Sequence, residues 1–374
     1  MKSLKFILKV SVVIVFTLPS LANAVECISP NSSNLCPSTS SQYSGGFSPS
    51  VGYGGFGGGS CSTNNVPVIF IHGNADSALT WGTQATGVNG YPSNPNSIYQ
   101  SFINAGYNDC ELFGITYLSK TEQANPQSNY ANPDKYKIIY NFIQSVLAYT
   151  GKDQVDIVAH SLGVSEIIAT LDYYNAWSKI RRFVNIAGGL RGLQTCVYYG
   201  YANAVTTTCD SQNYLDSYIF GFYPSNTGSG DTSASALTLG YNAWTDYGNP
   251  LSQRDAPKYN PNVSFYTLSA GNQDEVECST DASWNQCYAT AKFNNYTNVI
   301  AQLNIGAGTN ALQETFQWQY FSDLMQEMGG DSSNGVGHIQ AAHISGNILV
   351  NMLQTNCTGL ACASGYNYGP YSSY

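Results

Sequence analysis

The nine residues Val155-Asp156-Ile157-Val158-Ala159-His160-Ser161-Leu162-Gly163 decide the architecture. The run 155–158 reads as a buried strand, and a helix-like spacing of apolar residues begins at Val164. Between them stands a serine with small residues, Ala159 and Gly163, two places to either side. A serine flanked in this way on a sharp strand-to-helix turn has its hydroxyl raised above the end of a sheet, where it can act as a nucleophile. Ala159 occupies a position where glycine is usual, but the turn needs a small side chain there rather than none.

Working outward, the β-branched run 66–71 predicts a buried parallel strand ending at His72-Gly73-Asn74. A helix is expected over 97–105, a strand over 110–117, and a helix over 134–150, with Ile138, Ile139, Phe142, Ile143, Val146 and Leu147 on one side and Gly151 as its stop. Beyond the serine come a helix to Tyr174, strands over 180–187, 263–270 and 298–305, and a final helix over 339–353. Strands that alternate with helices predict a mostly parallel sheet covered on both faces, and with the serine turn the expectation is an α/β-hydrolase fold. Residues 25–374 are read as one domain, with no internal repeat and no linker to a second module. Between about 190 and 262 the periodicity dissolves into a Tyr-rich insertion, far longer than an ordinary connection. The Ser- and Gly-rich stretch 25–65 reads as a flexible arm that disulfides could pin.

Lys2, Lys5 and Lys9, the apolar run 10–18 and Leu21-Ala22-Asn23-Ala24 have the form of a secretory signal peptide cut after Ala24. Export would place the 10 cysteines in an oxidising compartment. Pairing sequence neighbours gives Cys27 with Cys36, Cys61 with Cys110, Cys196 with Cys209, Cys278 with Cys287, and Cys357 with Cys362. With no C-x-x-C and only 4 histidines, a structural zinc site is a poor reading. Charged residues make up 10% of the chain and the net charge is −9, against 29 tyrosines. That balance argues against nucleic acid and anionic membranes as partners and suits an uncharged substrate. No protein partner is implied.

A nucleophilic serine needs a base, an acid that orients the base, and N–H donors for the oxyanion; in this fold the order is serine, acid, histidine. Only His338 and His343 follow Ser161. His338, in a glycine-rich loop before the last helix, is preferred as base over His343, which falls inside that helix, and His160 is read as structural. Asp274, just past the 263–270 strand, is preferred as acid over Glu275 and Glu277 in the same loop and over Asp255 and Asp246 in the insertion. The expected oxyanion donors are the main-chain N–H groups of Asn74 and Leu162, the latter opening a helix whose dipole assists. This chemistry calls for no cofactor and no metal. The aromatics of the insertion, Tyr198 to Trp244, are read mostly as its own core, with some exposed for binding.

Six stretches, PVIFIHGN (67–74), YNDCELFGITY (107–117), QVDIVAHSLGVS (154–165), NIAGGLRGL (185–193), SFYTLSAG (264–271) and TNCTGL (355–360), together with GFSPSVGYGGFGGGSC (46–61), resemble the extracellular poly(3-hydroxybutyrate) depolymerases that attack native, amorphous granules. The resemblance runs from the arm to the C-terminus. It implies a lipase-like α/β-hydrolase without a separate polymer-binding module, with Ser161 as nucleophile, Asp274 as acid, His338 as base, and Asn74 and Leu162 as oxyanion donors. It also implies a substrate face at Tyr130, Tyr198, Tyr199 and Tyr214, and a water-insoluble polyester as substrate, with a lipid ester as the alternative. Three departures stand out: leucine rather than methionine follows the nucleophile, Leu215 replaces a second tyrosine after Tyr214, and the insertion is shorter around 226–231.

Overall fold

The computed structural model describes residues 41–84, 96–190, 207–209, 221–222, 253–270, 274, 276, 291–306 and 336–374. Its strands are β1 (Gln42–Tyr43), β2 (Gly55–Gly57), β3 (Val68–Ile71), β4 (Leu112–Ile115), β5 (Val155–His160), β6 (Ile180–Ile186), β7 (Ser264–Ser269), β8 (Val299–Asn304) and β9 (Ser372–Ser373). They form one sheet in the order β1-β2-β4-β3-β5-β6-β7-β8-β9. From β4 across to β8 every pairing is parallel, whereas β2 runs antiparallel to β4 and β9 antiparallel to β8. The main helices are α1 (Ile98–Asn104), α2 (Lys120–Gln123), α3 (Pro133–Thr150), α4 (Leu162–Tyr173), α5 (His338–Ile344) and α6 (Gly346–Gln354).

Because successive strand residues point to opposite faces, the buried β-branched runs feed two cores. Ile69, Ile71, Ile157 and Ala159 meet Ile139, Phe142 and Ile143 of α3 and Val164, Ile167 and Ile168 of α4 on one face. Val68, Phe70 and Val158 meet Ile98 and Phe102 of α1, Ile344 of α5, and Ile348, Leu349 and Met352 of α6 on the other. Each such side chain, fully buried, contributes about 1.5–3 kcal/mol. Helix α3 starts where predicted because the Asn132 side chain accepts the Asp134 N–H at 3.1 Å and Pro133 follows. It stops at Gly151, whose φ of +66° is left-handed. This is the α/β-hydrolase fold that the serine turn predicts.

Two expectations change. The described part of the arm, 41–65, is not a loose segment: it supplies β1 and β2. Glycine is needed there for close approach, since a Cβ on Gly55 would stand 2.0 Å from the Gly114 carbonyl oxygen of β4. Phe47 packs edge-on against Phe113 at 4.8 Å, and the buried Glu111 carboxylate accepts the N–H groups of Asn64 and Asn65 at 2.5 and 2.7 Å. The Cys61–Cys110 disulfide closes the arm onto β4. The final helix is the second change. It is two helices, α5 and α6, because the chain bends at Ser345 to seat Gly346 on Ser101 of α1, where a Cβ would come within 2.2 Å of the serine hydroxyl.

The Cys357–Cys362 pairing forms as expected; the other three proposed pairs, like residues 1–24, involve positions outside the described side chains. Among the described residues no helix is long and apolar enough to cross a membrane.

Candidate active site

Ser161 follows β5 and caps α4 with φ +54° and ψ −128°, a left-handed φ for a residue that carries a side chain. Such a conformation costs about 1–3 kcal/mol and persists only where its surroundings enforce it. Here the Ser161 N–H donates to the Ile186 carbonyl at 2.9 Å, and the Val164 N–H donates to the Ser161 carbonyl at 3.0 Å. The side chain makes no capping bond to the helix it starts, so its hydroxyl is not spent on α4. Gly163 is glycine because α4 begins directly on the end of β3: a Cβ would lie 2.3 Å from the His72 carbonyl oxygen.

The His72-Gly73-Asn74 loop follows β3, the strand beside β5. A Cβ on Gly73 would stand 3.0 Å from the Ser161 Cβ, which measures how closely this loop passes the serine. His72 is fully buried, and burial drives its pKa down to about 3. It is therefore neutral, and its partners fix the tautomer: Nδ1–H donates to the Gly73 carbonyl at 2.7 Å, and Nε2 accepts the Tyr117 N–H at 3.2 Å. Its ring stacks on Tyr117 at 4.3 Å. The Asn74 side chain turns into the protein, accepting the N–H of Ala75 at 3.0 Å and an Asn129 amide hydrogen at 2.7 Å while donating to the Pro126 carbonyl at 3.0 Å. The Asn74 side chain braces the loop. Leu162 is buried as the first residue of α4.

Asp274, in the segment after β7, lies with both carboxylate oxygens 2.9 and 3.0 Å from His338 Nδ1, and the Val276 N–H donates to its Oδ1 at 3.0 Å. Asp274 and His338 are both buried. His338 is the first residue of α5 rather than a residue of the preceding loop. His160, adjacent to Ser161, touches it twice: its Nε2–H donates to the His338 carbonyl at 3.0 Å, and the two ring centroids are 4.8 Å apart. Burial holds the His160 pKa well below its ordinary value, with the nearby His338 adding to the effect, so it stays neutral. The structure thus brings His338 and Asp274 together and sets His338 against His160, the residue that precedes Ser161. His343 points elsewhere, its Nε2 3.0 Å from the Thr80 hydroxyl. Asp255 accepts hydrogen bonds from Asn294 and from the Tyr296 hydroxyl, at 2.6 Å each. Asp246, Glu275 and Glu277 lie outside the described residues.

Tyr130 is half-buried and lines a cleft of about 430 Å³ together with Asn125, Ser128, Asn129, Asn132 and the Glu122–Lys135 ion pair. Tyr198, Tyr199 and Tyr214 lie outside the described residues, and of the insertion's aromatics Phe222 is described and buried. Two features had no signal in the sequence. One is Asn129, which joins the cleft to the Asn74 loop. The other is Glu166 on α4, fully buried, whose two carboxyl oxygens have no hydrogen-bond partner among the described residues; burial pushes its pKa well above the carboxylate range.

The sheet order, the strained serine at the strand-to-helix turn and the histidine–aspartate pair at the same edge define a hydrolase scaffold of the α/β class. Residues 65–169 match the model of the Lipase (class 2) family, a stretch that runs from β3 through the serine turn into α4 and supports a lipase-like ester hydrolase. Among solved structures, the chain is similar to a lipase of Bacillus licheniformis in its propeptide form (18% identity over 56% of this chain and 36% of that one, TM-score 0.33). It is also similar to lipase B of Aspergillus fumigatus (14% identity, 64% and 44%, TM-score 0.35) and to phospholipase PlaB of Legionella pneumophila (14% identity, 61% and 43%, TM-score 0.32). The chain therefore spans less than half the length of these three proteins.

Proposed function

We propose that the protein is a secreted serine hydrolase that cleaves the ester bonds of poly(3-hydroxybutyrate) or a related short-chain polyhydroxyalkanoate through an acyl-enzyme. The observation that carries the hydrolase reading is the buried Asp274–His338 pair held against the residue next to Ser161. In this mechanism Ser161 Oγ attacks the ester carbonyl while His338 Nε2 takes its proton. Asp274 keeps the imidazole proton on Nδ1 and stabilises the imidazolium. The main-chain N–H groups of Asn74 and Leu162 receive the negative oxygen of the tetrahedral intermediate; each such donor is worth about 10²–10³ in rate. His338 then returns the proton to the leaving alcohol, and the same histidine activates water to release the acyl group.

The polyester part of the reading is supported by the sequence resemblance and by the cleft at Tyr130. Ser128 and Tyr130 offer hydroxyls there. These suit a chain with an ester carbonyl in every repeat better than a long alkyl chain, which needs an apolar wall. Secretion is supported by the two disulfides among the described residues. A lipase or carboxylesterase acting on lipid esters is the second reading, favoured by the class 2 lipase match over 65–169.

Replacing Ser161 by Ala is expected to lower turnover by about 10⁶ and to abolish labelling by a fluorophosphonate; retained activity removes Ser161 from the mechanism. Clearing of amorphous poly(3-hydroxybutyrate) compared with a long-chain triglyceride emulsion separates the two substrates, and preference for the emulsion makes the protein a lipase.

A further inference from the structure

We infer that Asn129 is a positioning residue for the oxyanion donor at Asn74, a role that rests on the proposed serine mechanism. Asn129 sits 55 residues from Asn74 in the chain, on the strap between α2 and α3. Its side chain is buried, and both hydrogens of its amide are committed: one to Asn74 Oδ1 at 2.7 Å, the other to the Glu122 carbonyl at 3.0 Å. The strap holds Asn74 a second time, because the Pro126 carbonyl accepts from Asn74 Nδ2 at 3.0 Å. Both ends of the Asn74 amide are thereby spent on the protein, leaving the loop's main-chain N–H as the donor the proposed mechanism uses.

The loop does not rest in this shape by itself. Ala75, the next residue, has φ +56°, a left-handed conformation that an alanine resists. The Ala75 N–H and the Asn129 amide together fill the two lone pairs of Asn74 Oδ1. Without the Asn129 donor, a half-buried oxygen loses one partner and the strained turn loses one of the bonds that hold it. An oxyanion donor acts only at the distance it is set to, so a shift of this turn lowers the rate without changing how the ester is bound.

The strap is itself anchored from the other side. The Thr208 hydroxyl lies 2.7 Å from the Pro126 carbonyl and 2.6 Å from the Asn129 carbonyl, so a residue of the 190–262 insertion rests on the same two residues that grip Asn74. Asn129 also lines the Tyr130 cleft. It is therefore the point at which the insertion, the cleft and the oxyanion loop meet.

The test measures kcat and KM on p-nitrophenyl butyrate, with thermal midpoints, for the full chain and its Asn129→Ala, Asn129→Asp and Asn129→Gln variants. Asn129→Asp has the same shape and, assayed ionised at alkaline pH, no donor, and it carries the experiment should Asn129→Ala fail to fold. The expected result is a fall in kcat of about 10- to 100-fold for Ala and Asp, with KM within about twofold of the parent and partial recovery in Gln, which restores an amide donor. An Asn129→Asp enzyme with kcat within twofold of the parent overturns the inference. So does a loss expressed in KM, or one that follows the thermal midpoint and is not recovered by Gln. Ser161→Ala is assayed alongside: activity surviving in that variant refutes the serine mechanism itself, whereas its loss together with an unchanged Asn129→Asp refutes only the role of Asn129.

Discussion

Replacing Asp274 by Asn tests the proposed mechanism at its least exposed point. The carboxylate now accepts from His338 Nδ1 with both oxygens, at 2.9 and 3.0 Å, and from the Val276 N–H with Oδ1 at 3.0 Å. An amide of the same shape has one acceptor and one donor end. If its oxygen stays with Val276, its NH₂ takes the position 2.9 Å from Nδ1, and a donor there favours the imidazole tautomer with its proton on Nε2, where it cannot accept one from Ser161. If the amide turns over, its NH₂ opposes the Val276 N–H inside the protein, leaving a donor unsatisfied at about 1–3 kcal/mol. The first arrangement costs less and yields the wrong tautomer, a loss of about 10⁴ in kcat, or about 5.5 kcal/mol of transition-state stabilisation. The assay is hydrolysis of a soluble p-nitrophenyl ester near pH 8, with the thermal midpoint as control for folding. A folded Asp274→Asn enzyme within tenfold of the parent refutes the assignment of Asp274 as the orienting acid.

Two further outcomes concern stability. Burial raises the Glu166 pKa, so the folded state holds this proton more tightly than the unfolded one; its contribution is present at low pH and is lost as pH rises from about 4.5 through the folded value. Glu166→Gln is therefore expected to gain stability over the parent with rising pH, at up to about 1.4 kcal/mol per unit in that window; equal offsets in urea midpoints at pH 5 and pH 8 contradict this. Removing the Cys61–Cys110 bridge as a double serine variant should cost about 4 kcal/mol on the chain-entropy relation for a separation of 49, against about 2 kcal/mol for Cys357–Cys362 at a separation of 5. Equal losses from the two bridges in urea unfolding contradict that ordering.

The central sheet was legible because a parallel strand buried on both faces must be apolar throughout, and runs such as 68–71 and 155–158 leave few other readings. Asp274 and His338 are singled out by chain order and position, one after a strand tip and the other before the last helical stretch, and the structure sets their side chains 2.9 and 3.0 Å apart. The arm was not legible. Its glycines look like flexibility in one dimension, yet at Gly55 the missing side chain lets β2 lie against β4, a contact with residues about sixty positions away. The break at Ser345 was hidden for the same reason, since it answers to Ser101 on another helix. Asn129 sits in a polar loop with no periodicity, and only the fold gives it a partner at Asn74.

The sheet order also explains why the proposed machinery draws on segments so far apart in the chain. Neighbouring strands are about 4.8 Å apart, so the ends of β5 and β7, separated by β6, stand about 10 Å from each other. That is too wide for a serine at one end and an aspartate beyond the other to touch, and an imidazole brought in by α5 is a group of the right length to bridge them. On the other flank β3 lies directly beside β5, and the loop proposed to hold the oxyanion has the opposite problem: it is so near that a Cβ on residue 73 would stand 2.9 Å from His160 Nδ1 and 3.0 Å from the Ser161 Cβ, which a glycine avoids. A wide gap on one side and a tight one on the other follow from the single fact that β6 intervenes between β5 and β7 whereas no strand intervenes between β3 and β5. Histidine at 338 and glycine at 73 are thus two answers to the same strand order.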